Sequence, residues 1–371
     1  MEDTPNIEKV LKALEQVRTG DKTNGTKKIR IIGDRLEKAA VDCIAKGLTQ
    51  FTDIRSLEVV LCKLSPGALE ILFSNLHLFS LVLLQLVKVG LNDESMKQLA
   101  AGILKCAEAR KRVAPDSSNE SYKGCNLRKL DCTFNALSSV EDLFAVFHSP
   151  FGDYVALECI LLARNNLDDS ACYYIAEALT KTSARRTIRQ LDLQHNENIT
   201  NAGLQYLICA IPGSELLSLA IGKNKITAEG IAALCECLPR TKLEHVTLQA
   251  CAIDDDTVEL LVQAFSRMAT PIKFLDLHGN LITDRGGCCL AAYVKNNIYI
   301  TSLNLRNNLS LTDVTGLAMY EAIKTHRSIK KVELEENGEI DPYFLTEIAN
   351  KTAALHTRQA KVFTALCAVK L

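Results

Sequence analysis

The sequence predicts an α/β solenoid, in which strand–helix units stack into a right-handed horseshoe with a parallel sheet on the concave side and helices on the convex side. Two observations predict this fold. A pattern of leucines closed by an asparagine recurs about ten times, and each copy is followed by a stretch with helical spacing. A chain of 371 residues would otherwise suggest roughly two or three domains, but stacked repeats share one continuous core.

The repeated segment reads Leu-x-x-Leu-x-Leu-x-x-Asn-x-Leu. A clear copy contains Leu157, Ile160, Leu162, Asn165 and Leu167. The other copies begin at Ile54, Leu81, Leu127, Ile188, Leu216, Leu243, Ile272, Ile300 and Ile329. Their first positions are 27 to 31 residues apart, except for one step of 46 residues between the second and third copies. This regularity predicts an array of structural repeats.

Each part of the repeat predicts a local structure. The alternating Leu-x-Leu core is typical of a short strand with one buried face. The asparagine follows the strand, where its amide can pair with backbone groups that would otherwise be buried without partners. Cys62 and Cys251 occupy this slot in two copies, where hydrogen bonding is expected to be weaker, and Val89 occupies it in a third.

The stretch after each turn predicts a helix. In the copy that begins at Leu216, the apolar residues Ile231, Leu234 and Leu238 have helical spacing. Several of these helices are expected to start at a threonine N-cap. These threonines are Thr200, Thr227, Thr283 and Thr312. A strand and a full helix in about 28 residues resemble the ribonuclease-inhibitor-like class of leucine-rich-repeat proteins, over residues 54–340.

The two ends of such an array need caps, because an open solenoid exposes its core. Residues 1–50 are predicted to form the N-terminal cap, with a helix beginning near Pro5, a degenerate strand at Ile29–Ile32 and a helix through Ala39–Leu48. Residues 51–340 hold about ten repeats, with an inserted loop at 106–125. Residues 341–371 are predicted to form a C-terminal capping helix, and partner binding by this helix is the alternative.

The inserted loop also leaves two interpretations open. Its Arg110-Lys111-Arg112 triplet and its serines would suit a regulatory or localisation element, whereas a tolerated insertion is the simpler interpretation.

Net charge and residue composition indicate which partners, cell location and cysteine state to expect. The formal net charge is −1 and tryptophan is absent, so neither nucleic acid nor a membrane surface is an expected partner. The first twenty residues lack the apolar run of a signal peptide, which predicts a cytoplasmic protein, with a nuclear or cytoskeletal location as alternatives. The 14 cysteines show no metal-type spacing, so they are expected to be reduced and mostly buried. No metal and no cofactor is predicted.

The variable strand positions should face the concave side and bind a partner. These candidate residues are Leu83, Asp131, Leu161, Asp192, Gln194, His245, Gln249, Asp276, His278, Arg306 and Glu333. Carboxylates near imidazoles could support acid–base chemistry. However, an open concave face does not exclude water, and no nucleophile or phosphate-loop motif is present. The sequence therefore predicts recognition residues and no catalytic residue.

The resulting functional hypothesis is a non-enzymatic intracellular scaffold or adaptor that binds one protein through its concave face. The binding face of ribonuclease inhibitor is strongly acidic, whereas this face is mixed, so a ribonuclease is not the expected partner. The alternatives are a small-GTPase regulator, by resemblance to Ran GTPase-activating proteins, and a cytoskeletal or ciliary component, by resemblance to tropomodulin-type proteins. Well-formed caps would favour a monomer.

Overall fold

The computed structural model describes residues 27–33, 35–51, 53–113 and 125–353. The chain divides into two compact units. The first extends to Asn198 and includes Ser214–Leu216, and the second comprises Ile199–Gly213 and the residues from Leu217 onward.

The first unit contains a parallel sheet whose strands follow chain order. These strands are β1 (Lys27–Ile32), β3 (Ile54–Val60), β5 (Leu83–Val87), β6 (Lys129–Asp131), β7 (Cys159–Leu161) and β8 (Gln190–Asp192). Equivalent repeat positions face each other, as in the pairing of Leu130 with Ile160. Two short strands, β2 (Arg35–Leu36) and β4 (Lys63–Leu64), pair in a separate parallel ribbon.

Along the chain, the helices of the first unit alternate with these strands. They are α1 (Lys38–Gln50), α2 (Pro66–Ser74), α3 (Asp93–Val113), α4 (Glu141–Ala145), α5 (Asp169–Leu179) and α6 (Thr182–Thr187). The repeat that contains α4 departs from the expected full helix. After α4 the chain continues as 3-10 turns at Val146–His148 and Gly152–Tyr154. Pro150 lies between these turns, and proline has no backbone N–H to continue a helix.

The second unit repeats the same architecture. Its parallel strands are β9 (Ser218–Ala220), β10 (His245–Thr247), β11 (Phe274–Asp276), β12 (Ser302–Asn304) and β13 (Lys331–Glu333). Its helices are α7 (Asn201–Ala210), α8 (Ala228–Cys237), α9 (Asp255–Arg267), α10 (Asp284–Asn296), α11 (Asp313–Lys324) and α12 (residues 342–353). The predicted α/β solenoid class is thus confirmed.

The leucine positions of the repeat form the core, as predicted. Leu157, Ile160, Leu162 and Leu167 are all fully buried. Full burial of one such side chain stabilises the fold by about 1.5 to 3 kcal/mol relative to its exposed state.

The repeat asparagines hydrogen-bond to backbone groups of neighbouring repeats. The Asn280 amide donates to the carbonyl oxygens of Leu248 and Leu277 at 3.0 and 2.8 Å. Its side-chain oxygen accepts from the backbone N–H groups of Cys251 and Ile253 at 2.9 and 3.1 Å. Asn280 therefore satisfies four buried backbone groups, two donors and two acceptors, on two adjacent repeats.

The residue directly before the asparagine slot adopts a left-handed backbone in every repeat. The residues at this position are Leu61, Lys88, Phe134, Arg164, His195, Lys223, Ala250, Gly279, Asn307 and Glu336. Their φ angles lie between 48° and 68°. Hydrogen bonds to the next repeat hold this conformation in most of them, as where the Phe134 N–H donates to the Ala163 carbonyl at 3.0 Å.

The helix starts of adjacent repeats are joined by carboxylates at the first helical position. Asp284 accepts from the backbone N–H and the hydroxyl of Thr312, and likewise from Thr315. Asp255 accepts from the Thr283 N–H and hydroxyl and from the Gly286 N–H. The sequence analysis did not predict these contacts between repeats.

The predicted threonine N-caps are only partly confirmed. All four threonines occupy the N-cap position, but only Thr200 and Thr312 accept a hydrogen bond from the first turn of their helix. The hydroxyl of Thr283 instead donates to Asp255, and that of Thr227 accepts from the Asn201 amide. A side chain of the preceding helix therefore replaces local capping in these two repeats.

These hydrogen-bonded carboxylates should make stability depend on pH. Burial alone would raise the pKa of Asp284, but its hydrogen bonds from Thr312 and Thr315 outweigh burial and lower the pKa. Since the folded pKa lies below the unfolded value of about 3.9, the ionised carboxylate stabilises the fold above that value, and this contribution is lost as the pH falls through the folded pKa. We expect Asp284→Asn to flatten the decline in melting temperature as the pH falls below about 4. Circular dichroism melts with a wild-type slope would contradict this.

The inserted segment begins later than predicted. Helix α3 extends to Val113, so residues 106–113 of the predicted loop are helical. The basic triplet lies in its last turn, where Lys111 Nζ lies 5.3 Å from the Phe151 ring centroid and Arg110 donates to Asn126 at 3.2 Å. Residues 114–124 lie outside the described residues.

The predicted caps are described only in part. β1 includes the predicted strand Ile29–Ile32 and pairs with β3 along its length, and α1 includes the predicted helix Ala39–Leu48. At the other end, residues 342–353 are helical from Pro342, with Asp341 accepting from the Tyr343 N–H. The helix expected near Pro5 and residues 354–371 lie outside the described residues.

Candidate protein-binding faces of the strands

One row of neighbouring side chains lies on β5, β6, β7 and β8 of the first unit, on the side of the sheet opposite the buried leucines. Gln85, Asp131, Leu161 and Asp192 are register partners on these adjacent strands. The Gln85 amide donates to Asp131 at 2.9 Å, and the Thr133 N–H donates to the other oxygen of Asp131 at 3.0 Å. Asp131 is only 6% exposed, so it orients Gln85 and presents little surface of its own to a partner.

Asp192 lies at the other end of this row. It is half-buried, and it accepts from the backbone N–H and side-chain amide of Gln194 at 3.0 and 3.2 Å. Burial raises the pKa of Asp192 despite these two bonds, and the charge of Asp131 adds to the rise. Since Leu161 separates the two acidic residues in the register, the row presents an apolar residue between two carboxylates.

A second row lies two residues towards the start of the strands. It pairs Leu83 with Lys129, Lys129 with Cys159, and Cys159 with Gln190. Leu83 is half-buried, and the Cys159 thiol donates to the Gln190 side-chain oxygen at 3.3 Å. Burial is the main reason that the pKa of Cys159 rises to about 11, so this thiol is protonated and unreactive at neutral pH.

In the second unit, the side of the sheet opposite the buried leucines carries a ring pair and an amide–carboxylate pair. His245 is exposed, and its ring lies 6.1 Å from that of Phe274 on the neighbouring strand. The Gln249 amide donates to Asp276 at 2.6 Å, and the His278 N–H donates to the same carboxylate at 3.0 Å. Like Gln85, Gln249 thus donates to an aspartate of the next strand, although it lies two residues past Thr247, the register partner of that aspartate.

Arg306 and Glu333 lie at the last two strands. Arg306 contacts Glu333, Glu335 and Glu336 at 3.5, 3.5 and 3.1 Å, and Lys331 contacts Glu333 at 2.9 Å. The three carboxylates outnumber the two cations, so this part of the face carries a net negative charge. Arg306 is therefore already surrounded by carboxylates, which lowers its value as a site for an acidic partner residue.

The predicted residues thus fall into three groups by exposure. His245 is exposed, whereas Asp131 and Asp276 are almost fully buried and act as supports. The others are half-buried: Leu83, Leu161, Asp192, Gln194, Gln249, His278, Arg306 and Glu333. Gln85 and Phe274 are variable strand positions as well, and the register places them beside Glu58 and His245 on the neighbouring strands.

The geometry offers no assembled acid–base pair at the predicted histidines. Asp276 is bonded to the Gln249 amide and to the His278 backbone N–H, and His245 packs against Phe274. Within the part of the chain that the structure describes, no three metal-ligating side chains come together. Among the described helices, none has both the length and the apolar content needed to cross a bilayer.

Comparison with known proteins supports the repeat assignment. The family model described as Leucine Rich repeat matches residues 185–207 and 216–235. NACHT, LRR and PYD domains-containing protein 4E of Mus musculus is 29% identical over 174 residues, which is 45% of this chain and 17% of that protein. NACHT, LRR and PYD domains-containing protein 13 of Homo sapiens is 25% identical over 221 residues, which is 58% of this chain and 20% of that protein. The matches thus span only about a fifth of these relatives' own length.

A solved structure shares the fold. The complex of Rad7 and Elc1 in yeast contains a chain that matches 85% of this chain with 64% of its own length, at a TM-score of 0.50 and 15% identity. The ribonuclease-inhibitor-like class stays a prediction. The matched repeats, the parallel strands in chain order and the asparagines between repeats identify the chain as a leucine-rich-repeat protein.

Proposed function

We propose that the protein is a non-enzymatic cytoplasmic scaffold or adaptor that binds another protein through its strand faces, meaning the side of the strands opposite the buried leucines. Repeat proteins of this kind generally use such extended surfaces for binding. The observation that carries the proposal is the amide–carboxylate pair on the strands of each unit, Gln85–Asp131 and Gln249–Asp276. These bonds fix the glutamines before a partner arrives, so little side-chain entropy is lost on binding.

The ring pair on the second unit supports the same proposal. His245 and Phe274 offer a flat, partly apolar surface beside polar groups, and such combinations are typical of protein interfaces. Leu161 provides a similar apolar position in the first unit.

The experiment compares partner capture by matched variants. The face variant combines Leu161→Lys and His245→Glu, which alter side chains that are not fully buried and leave the support carboxylates intact. The control is Leu260→Lys, an exposed position on the helix side of the second unit. All proteins are affinity-purified from the same lysate and their partners quantified by mass spectrometry, after circular dichroism has confirmed equal melting temperatures.

We expect a shared set of partners to bind the wild type and the control, and to bind the face variant at least about tenfold less. Partners that are kept by the face variant, or lost equally from the control, would refute binding through the strand faces.

A further inference from the structure

Four residues in the first unit form a ridge where the chain leaves strands β3, β5, β6 and β7. They are Leu61, Lys88, Phe134 and Arg164, and we call them the exit ridge. Each occupies the left-handed position of its repeat and is exposed to solvent. Adjacent strands lie about 4.8 Å apart, so the four residues follow one another across the sheet at roughly that interval.

The exit ridge has a fixed backbone. The N–H of Leu61 donates to the Val87 carbonyl, and that of Lys88 donates to the Thr133 carbonyl. Phe134 and Arg164 make the equivalent bonds to the next repeat, at 3.0 and 2.9 Å. The ridge therefore presents its side chains from a rigid edge, which favours binding without a large ordering cost.

The phenyl ring of Phe134 lies between two cations. The Arg164 guanidinium carbon is 4.7 Å from the ring centroid, and Lys88 Nζ is 5.8 Å from it. Both distances lie within the range of cation–π attraction. Phe134 is 44% exposed and Leu61 is 53% exposed, so the ridge alternates apolar and cationic side chains.

Among the described residues, the two cations have no acidic partner. Within the described residues, no carboxylate forms an ion pair with Lys88 or Arg164, in contrast to Arg306 with its three glutamates. The row just inside the ridge is uncharged, with Val60, Val87, Thr133 and Ala163. The exit ridge is thus a cationic strip with two exposed apolar side chains.

The fold does not require these side chains. Gly279 fills the equivalent position in the second unit and makes the same backbone bond to its next repeat. A bulky side chain with a left-handed backbone is uncommon, and glycine adopts that conformation more easily. The backbone therefore does not require a phenylalanine at this position, and the exposed part of the Phe134 ring is open to a partner.

We propose that the exit ridge binds an extended acidic segment of a partner protein. Lys88 and Arg164 are two strands apart, or roughly 10 Å, which equals about three residues of extended chain. A segment in the polyproline II conformation rises about 3.1 Å per residue with three residues per turn, so carboxylates at its positions i and i+3 lie on one side and would pair with the two cations. An apolar residue between them would lie beside Phe134. This inference rests on the proposed protein-binding function but uses residues outside the strand-face rows.

The first test measures peptide binding by fluorescence anisotropy with the full-length protein. The probe is a labelled extended octapeptide that carries glutamates three residues apart with leucine between them, and its counterpart carries lysines instead. We expect at least about tenfold tighter binding of the acidic peptide at low salt, weakening as salt screens the pairs. Equal binding of the two peptides would overturn the proposal, and so would equal competition by single-stranded RNA or inorganic phosphate.

Two variants separate binding from folding. Phe134→Gly should weaken acidic-peptide binding about tenfold without lowering the melting temperature, because glycine suits the left-handed backbone. Lys88→Glu with Arg164→Glu should reverse the preference between the two peptides, whereas Lys223→Glu, at the same backbone position in the second unit, should not. A charge-reversed variant that still prefers the acidic peptide would refute the proposal.

The two proposals fail separately. If the Leu161→Lys and His245→Glu protein keeps its cellular partners but the ridge variants lose the acidic peptide, the strand-face function fails and the ridge proposal stands. If the strand-face variant loses its partners while the ridge variants bind peptides like the wild type, only the ridge proposal fails.

Discussion

Replacing Asn280 with alanine is expected to lower the free energy of unfolding by about 3 to 5 kcal/mol. The substitution leaves the N–H groups of Cys251 and Ile253 and the carbonyls of Leu248 and Leu277 without the bonds that Asn280 supplies. Asn280 is 5% exposed, so water cannot readily replace the amide. Each buried polar group left unpaired costs about 1 to 3 kcal/mol, and partial relaxation brings the sum into the stated range.

The matched control is Cys251→Ala, at the same repeat position one repeat earlier. The Cys251 thiol makes a weak contact there, to the Gln249 carbonyl at 3.5 Å. Its loss should cost about 1 kcal/mol, mostly through the vacated space. Urea unfolding would show a much lower midpoint for Asn280→Ala than for Cys251→Ala, with similar slopes. Equal midpoints would mean that the asparagine bonds between repeats contribute little.

Replacing Gly222 with alanine is expected to destabilise the protein by about 3 kcal/mol. A Cβ atom at this position would lie 2.5 Å from the Gln249 backbone nitrogen and 2.8 Å from its carbonyl oxygen. Since both atoms belong to the backbone, the clash can be relieved only by separating β9 from β10. The same shift would move Gln249 away from Asp276, so the strand face of the second unit would be altered as well.

Gly279→Ala provides the control for Gly222→Ala. Its Cβ would meet no atom closer than 3.6 Å, and the cost comes only from the left-handed φ of 68°. That cost is about 1 kcal/mol. Thermal melts should therefore place Gly279→Ala between the wild type and Gly222→Ala. A Gly222→Ala protein as stable as the Gly279→Ala protein would show that the two strands separate more easily than the close contact suggests.

The strands could be predicted well because two independent signals mark the buried positions of each repeat. These signals are the leucines themselves and the asparagine at a fixed distance after them. The copy at Leu157 is an example, since its strand, its buried residues and its turn all lie where the pattern places them. The helix in the repeat before it was harder to predict. There the chain forms only the short α4 and two 3-10 turns around Pro150. A single proline interrupts the helix in this repeat, although the other repeats indicate a full helix.

The contacts between helix starts could have been found from the sequence. Thr283-Asp284 and Thr312-Asp313 recur 29 residues apart, and in each pair the aspartate reaches the helix start of the next repeat. The left-handed position could not be found in this way. Nine of its ten residues are not glycine, because the hydrogen bond to the next repeat, and not the local sequence, sets the conformation.

The left-handed position is also where amino-acid substitutions can alter binding specificity without disturbing the fold. In most repeats its backbone is held by a hydrogen bond to the next repeat, and residues as different as alanine, arginine and glutamate all occupy it. A new amino acid there should alter what the molecule recognises and leave the next repeat undisturbed. A combinatorial library at Leu61, Lys88, Phe134 and Arg164 should therefore yield mostly folded members, from which new specificities could be selected one position at a time.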